Sequence, residues 1–111
     1  MTAMSTIHKQ VLTLTSARIL GVQTFEVPLD AEMVDIQWDP RRLDCVAFWY
    51  KISVPDEGAA ERPVKLWSFY IRRSGDVFPE GCYHLATVVR DGFAWHVLDA
   101  DGNNIEWAPI A

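Results

Sequence analysis

The sequence predicts an all-β domain, mainly antiparallel, built as a small sandwich or partly open barrel of about seven strands with little or no helix. Three observations carry this. Apolar and polar residues alternate with a period of two rather than 3.6 along most of the chain. The alternating runs are short and are broken by Pro, Gly, Asp and Asn at the spacing of small sandwiches and barrels. Asp91-Gly92 separates two such runs, and a two-residue Asp-Gly loop is the strongest short hairpin signal.

The elements follow in order. Thr6 to Leu14 (TIHKQVLTL) gains β-branched residues in its later half, which suit a pleated surface. Val22 to Val27 (VQTFEV) is a short strand stopped by Pro28, which lacks the N–H a central strand needs. Met33 to Trp38 alternates, with Val34, Ile36 and Trp38 expected on one side and Asp35 and Gln37 on the other. After the turn Asp39 to Asp44, Cys45 to Val54 begins apolar on both faces and reads as a central strand. Val64 to Arg72 puts Trp67, Phe69 and Ile71 on one face and Val64, Leu66 and Tyr70 on the other. Cys82 to Arg90 and Phe93 to Leu98 form the hairpin. A regular register pairs Arg90 with Phe93, Val88 with Trp95 and Ala86 with Val97, and sends His84 and His96 to opposite faces. Leu29 to Val34 and Ser16 to Leu20 each have room for one helical turn, and Ile105 to Trp107 is expected to add a short strand or dock Trp107 on the core.

A chain of 111 residues fits one domain, 1–111, with a flexible N-terminus at 1–5, loops at 55–63 and 73–81, and a C-terminal tail at 103–111. The net charge of -5 disfavours nucleic acid, where Lys and Arg must displace counterions. Arg41-Arg42 and Arg72-Arg73 are local exceptions, and Arg72 and Arg73 are the candidate anion or phosphate contacts. Cys45 and Cys82 lack metal-type spacing and read as two buried thiols, with a disulfide left open. The N-terminal residues show no secretory h-region and no apolar run approaches a membrane span, so a cytosolic location with no membrane partner is expected.

Candidate chemistry is sparse. Asp99, Asp101 and Asn103 match the first three ligands of a calcium loop, but Asn104 stands where Gly is needed and Ile110 where the closing carboxylate belongs, so a polar turn is expected. His8, His84, His96, Cys45 and Cys82 offer zinc-ligand types without paired spacing. Cys82, His84 and Asp99 make a nominal nucleophile trio with no local signature around it. No catalytic residue, metal or cofactor is therefore expected, and the chain is not read as an enzyme. The aromatic surplus is the remaining feature. Five tryptophans, with most rings in the middle strands, exceed what one small sheet hides easily. Trp49, Trp67, Tyr70 and Trp95 are the candidate interface residues, since Trp and Tyr anchor interfaces.

The segments TIHKQVL, QTFEVP, MVDIQW, WYKISVPDEGAAERP, FYIRRSGDVFP and YHLATVVRDGFAWHVLDA, in this order from Thr6 to Asp99, resemble a family of small bacteriophage-encoded β-rich domains of unknown function. The chain departs by inserting Thr15 to Val22 and adding Asn103 to Ala111. The resemblance implies a small phage-type accessory protein acting in the bacterial cytoplasm and carries over no site residue. Three functions are weighed. The first is protein–protein interaction, as a dimer or higher oligomer or with a host component, through an aromatic sheet face or edge. The second is sequestering a small molecule or nucleotide as counter-defence, with Trp or Tyr on a base and Arg72 or Arg73 on a phosphate. The third is a minor virion or assembly component pairing through a strand edge.

Overall fold

The computed structural model describes residues 3–14, 21–54 and 62–109. They form seven strands: β1 (Ser5–Thr13), β2 (Gln23–Pro28), β3 (Glu32–Trp38), β4 (Cys45–Ser53), β5 (Val64–Arg73), β6 (Tyr83–Arg90) and β7 (Phe93–Asp99). The strands build a three-stranded sheet in the order β1-β4-β3 and a four-stranded sheet in the order β2-β5-β7-β6. Every paired neighbour is antiparallel. This is a sandwich and not a closed barrel. The seam between β1 and β2 is bridged by a side chain. The Gln23 amide donates from Nε2 to the Thr13 carbonyl at 3.1 Å and accepts the Thr13 N–H on Oε1 at 3.0 Å, standing in for a strand rung.

Alternation fills the core as expected for most strands. Trp67, Phe69 and Ile71 of β5 meet Val46, Phe48, Tyr50 and Ile52 of β4 between the sheets. Phe48 is the centre of this cluster, with ring centroids 4.9 Å from Phe69, 5.1 Å from Phe25, 5.9 Å from Tyr50 and 6.1 Å from Trp67. The central place of β4 also holds, and Cys45 and Ala47 on its other face are buried too. The hairpin turn is as read: Asp91 has φ 51° and Gly92 φ 80°, the pair of positive values that a type I′ loop requires.

Two bulges break the period where the sequence reading assumed it ran on. The first lies between Met33 and Asp35. It turns Met33 into the core in place of Val34, which is exposed and does not share a side with Ile36. The second lies between His84 and Ala86 and moves His84 to the face of His96. Other boundaries shift. Ser5 belongs to β1 rather than to a flexible terminus, and Arg73 belongs to β5 rather than to the loop after it. Leu29 and Asp30 form a turn leading into β3, so no helical turn occupies Leu29 to Val34. The Ser16 to Leu20 segment and residues 55–61 of the expected 55–63 loop lie outside the described residues. The tail is ordered by β3: Met33 donates its N–H to Glu106 O and accepts from the Ala108 N–H, around a parallel bridge to Trp107. Ile105, not Trp107, docks on the core, and Trp107 stays exposed.

Two carboxylates tie the connections to the sheets. Asp30 accepts from the Ser53 hydroxyl, the Ser53 N–H and Arg62. The Ser53 hydroxyl, aided by the Ser53 N–H and Arg62 and opposed by burial, holds its pKa below 3.8. Asp39 is held below 3.8 chiefly by the Arg41 N–H, with Lys9 adding at 3.4 Å and burial opposing. Both groups are more acidic folded than unfolded. Their stabilisation is therefore complete above the unfolded value and is lost as pH falls through the lowered folded values. Urea unfolding between about pH 6 and pH 2 is expected to show a fall below about pH 4 that is shallower in the Asp30→Asn, Asp39→Asn double variant.

Candidate functional site

The four candidate interface residues do not form one surface. Trp67 is fully buried, so its indole belongs to the core and is withdrawn from any interface. Period two explains why: it shares the inner face of β5 with Phe69 and Ile71. Trp49 is half-buried on the outer face of the three-stranded sheet, flanked by Lys9 of β1 and Asp35 of β3. Tyr70 is half-buried on the outer face of the other sheet, beneath the Arg72 guanidinium at 4.8 Å. Trp95 packs against the core at one end of the sandwich.

The two candidate anion contacts also part. Arg72 is buried, donating from Nε to Val77 O and from Nη1 to Ile71 O, both at 3.0 Å. It holds the 74–81 connection down on the sheet. Arg73, one residue on, faces the other way and is exposed. Its guanidinium lies 4.8 Å from the Phe93 ring and 5.6 Å from the Trp95 ring.

Arg73 thereby belongs to an open pocket of about 270 Å³ lined by Trp38, Arg73, Arg90, Asp91, Phe93 and Trp95. Each member arrives from a strand end. Arg73 closes β5 and is paired with Trp95 of β7. Phe93 and Arg90 are partners beside the hairpin turn. Trp38 comes from the other sheet, at the end of β3. Arg90 crosses to that sheet, lying 5.2 Å from the Trp38 ring and donating to Leu43 O at 2.9 Å. This end of the sandwich thus presents rings with guanidinia lying over them. Among the described residues Trp38 Nε1 is a buried donor with no acceptor, a state shared by Trp67 Nε1 and costly where it persists. Guanidinium planes held over rings give a surface on which a flat π-system stacks, with N–H donors at its edge.

A second hollow of about 310 Å³ lies on the outer face of the four-stranded sheet, where Ser74, Cys82, His84 and His96 meet. His84 Nε2 and His96 Nδ1 are 3.1 Å apart, and the regular-register expectation that they point to opposite faces is overturned by the bulge at Leu85. Cys82 is half-buried rather than buried, and both thiols are free. Burial, with the Asp44 carboxylate beside it, pushes the Cys45 thiol up, which keeps it protonated and unreactive.

The calcium reading ends at Asp99. Its carboxylate is fully buried and spent on backbone donors, with Oδ1 accepting from Asp101 and Oδ2 from Asn104 and Ile105. It is the organiser of a turn. Among the described residues, no three His, Cys, Asp or Glu side chains converge as a metal cage, and no helix is long and apolar enough to cross a membrane.

Sequence reasoning named Arg73 and Trp95 but missed Trp38, Arg90 and Phe93 as their companions. The Arg90–Phe93 pairing was available from the hairpin register. The approach of Trp38 from the other sheet had no local signal. No protein-family model, curated protein or solved structure matches this chain.

Proposed function

We propose that the protein binds a flat, anionic small molecule of the nucleotide class at the ring-and-arginine end of the sandwich. The observation that carries this is Arg73 lying over both Phe93 and Trp95, with Arg90 over Trp38, in one open pocket. A base or comparable ring stacks on these planes, and a phosphate takes the guanidinium N–H groups. The pocket is near the lower bound of small-ligand sites, which favours a mononucleotide over a larger cofactor. The residues act by binding and not by chemistry, so the reading is of a sequestering protein. The resemblance to small phage-encoded domains would put that activity in an infected bacterial cytoplasm, as counter-defence.

The test is a thermal-shift panel of linear and cyclic nucleotides. A ligand that binds the folded state raises the melting temperature by mass action. Arg73→Ala is expected to weaken the hit about tenfold or more while leaving the fold intact, since a charge-assisted hydrogen bond contributes about 1.5–3 kcal/mol. A panel without any shift refutes the proposal.

The interaction reading keeps one observation in its favour. Trp49 sits mid-sheet on the outer face of the three-stranded layer, with exposed Ile7 diagonal to it on β1. Self-association or host binding would use that face, and a virion role would use a strand edge. Light scattering that finds a dimer, lost on Trp49→Ala, would put this reading first.

A further inference from the structure

The bulge at Leu85 does more than correct a register. With Thr87 paired to His96 and His84 paired to Leu98, the bulge brings His84 onto the face that His96, Leu98 and Thr87 already share. Three donor atoms then meet at the corners of an equilateral triangle. His84 Nε2 to His96 Nδ1, Thr87 Oγ1 to His84 Nε2, and Thr87 Oγ1 to His96 Nδ1 are each 3.1 Å.

That triangle matches one face of a metal coordination shell. With metal–imidazole bonds of about 2.0–2.1 Å, two nitrogens this far apart subtend about 100° at the ion, between the octahedral and tetrahedral angles. The outer contact has the right polarity as well. Ser74 Oγ lies 2.8 Å from His96 Nε2. When His96 gives its Nδ1 lone pair to an ion, the ring proton sits on Nε2 and is donated to Ser74, the bond that fixes the tautomer of a ligating histidine. The hollow beside the triangle has room for the water that an open site needs. Arg72, the strand partner of His96, has its guanidinium engaged with the Val77 and Ile71 carbonyls, Arg73 lies over Phe93 and Trp95, and Asp76 offsets one of these two positive charges.

We propose that His84 Nε2, His96 Nδ1 and Thr87 Oγ1 form one face of a site for a first-row divalent cation, with the remaining coordination positions open to water or to an outside ligand. Imidazole pairs select zinc, nickel or copper over calcium and magnesium. The site stands on the outer face of the four-stranded sheet; its hollow shares Arg73 with the ring-and-arginine pocket, but none of the three ligating residues lines that pocket.

Zinc and nickel chlorides titrated calorimetrically into the full chain at neutral pH test this. Cys82→Ser is the reference protein, because Cys82 lines the same hollow and a thiolate also takes these ions. The reference is expected to bind a single equivalent of metal. His84→Ala and His96→Ala in that background are each expected to weaken it about tenfold or more. His8→Ala, on the other sheet, is expected to leave it unchanged, and far-UV circular dichroism checks that each variant is folded. His84 is exposed, so its removal does not open the core. Absence of binding to the Cys82→Ser protein, or unchanged affinity in folded His96→Ala, overturns the proposal.

Discussion

Phe48→Ala is expected to destabilise the domain by about 3–5 kcal/mol, a large part of what a domain of this size has to lose. The ring is fully buried on the central strand of the three-stranded sheet and touches rings from both layers. Removing it takes away its transfer free energy and leaves a hole between Phe25, Tyr50, Trp67 and Phe69. The neighbouring strands are hydrogen-bonded into two sheets and cannot collapse independently, so little of the hole is refilled. Urea denaturation followed by tryptophan fluorescence measures the loss. Ile7→Ala, on the exposed face of β1, is the comparison and is expected to change stability by about 0.5 kcal/mol or less. Equal effects from the two substitutions would mean that the sheets do not pack through Phe48.

Asp99→Ala is expected to cost about 3 kcal/mol by a different route. One buried carboxylate accepts three backbone N–H groups, from Asp101, Asn104 and Ile105. The Ile105 amide follows its side chain into the core and has no water to turn to. Alanine leaves these donors unpaired, and each buried one costs about 1–3 kcal/mol. The loss should be felt at β3 as well, because the tail that the turn launches hydrogen-bonds to both sides of Met33. Asp99→Asn keeps one carbonyl acceptor and should recover part of the stability. Differential scanning calorimetry with and without calcium checks both claims: the variants melt lower, and calcium leaves the wild-type melting temperature unchanged. A calcium-dependent rise would return Asp99 to the role of a ligand.

What was legible in the sequence followed the reach of a strand's period. Strand class, the core face of β5, the central place of β4 and the Asp91-Gly92 turn depend on residues within a few positions of each other, and each was readable. Val34 and His84 were misplaced for one shared reason. A bulge adds a residue without a mark of its own in the sequence, and every side chain beyond it changes face. Trp67 was misassigned to an interface although its alternation with Phe69 and Ile71 was recognised. The error came from counting rings against a single sheet, when a second sheet lay across them. The ring-and-arginine pocket was half legible: Arg73 and Trp95 drew notice as residue types. Their meeting depends on the β5–β7 pairing, and Trp38 arrives through the packing of two sheets, neither of which local spacing encodes.

The binding claim is tested most directly at the indoles. The five tryptophans stand in separate surroundings: Trp38 and Trp95 at the pocket, Trp49 on an outer face, Trp67 in the core and Trp107 on the tail. Their indole N–H signals, followed by nitrogen–proton NMR while nucleoside monophosphates are added, report each place separately. Saturable movement of the Trp38 and Trp95 signals, with Trp49, Trp67 and Trp107 still, is the predicted result. A spectrum in which those two signals stay fixed, or in which Trp49 alone responds, would contradict it.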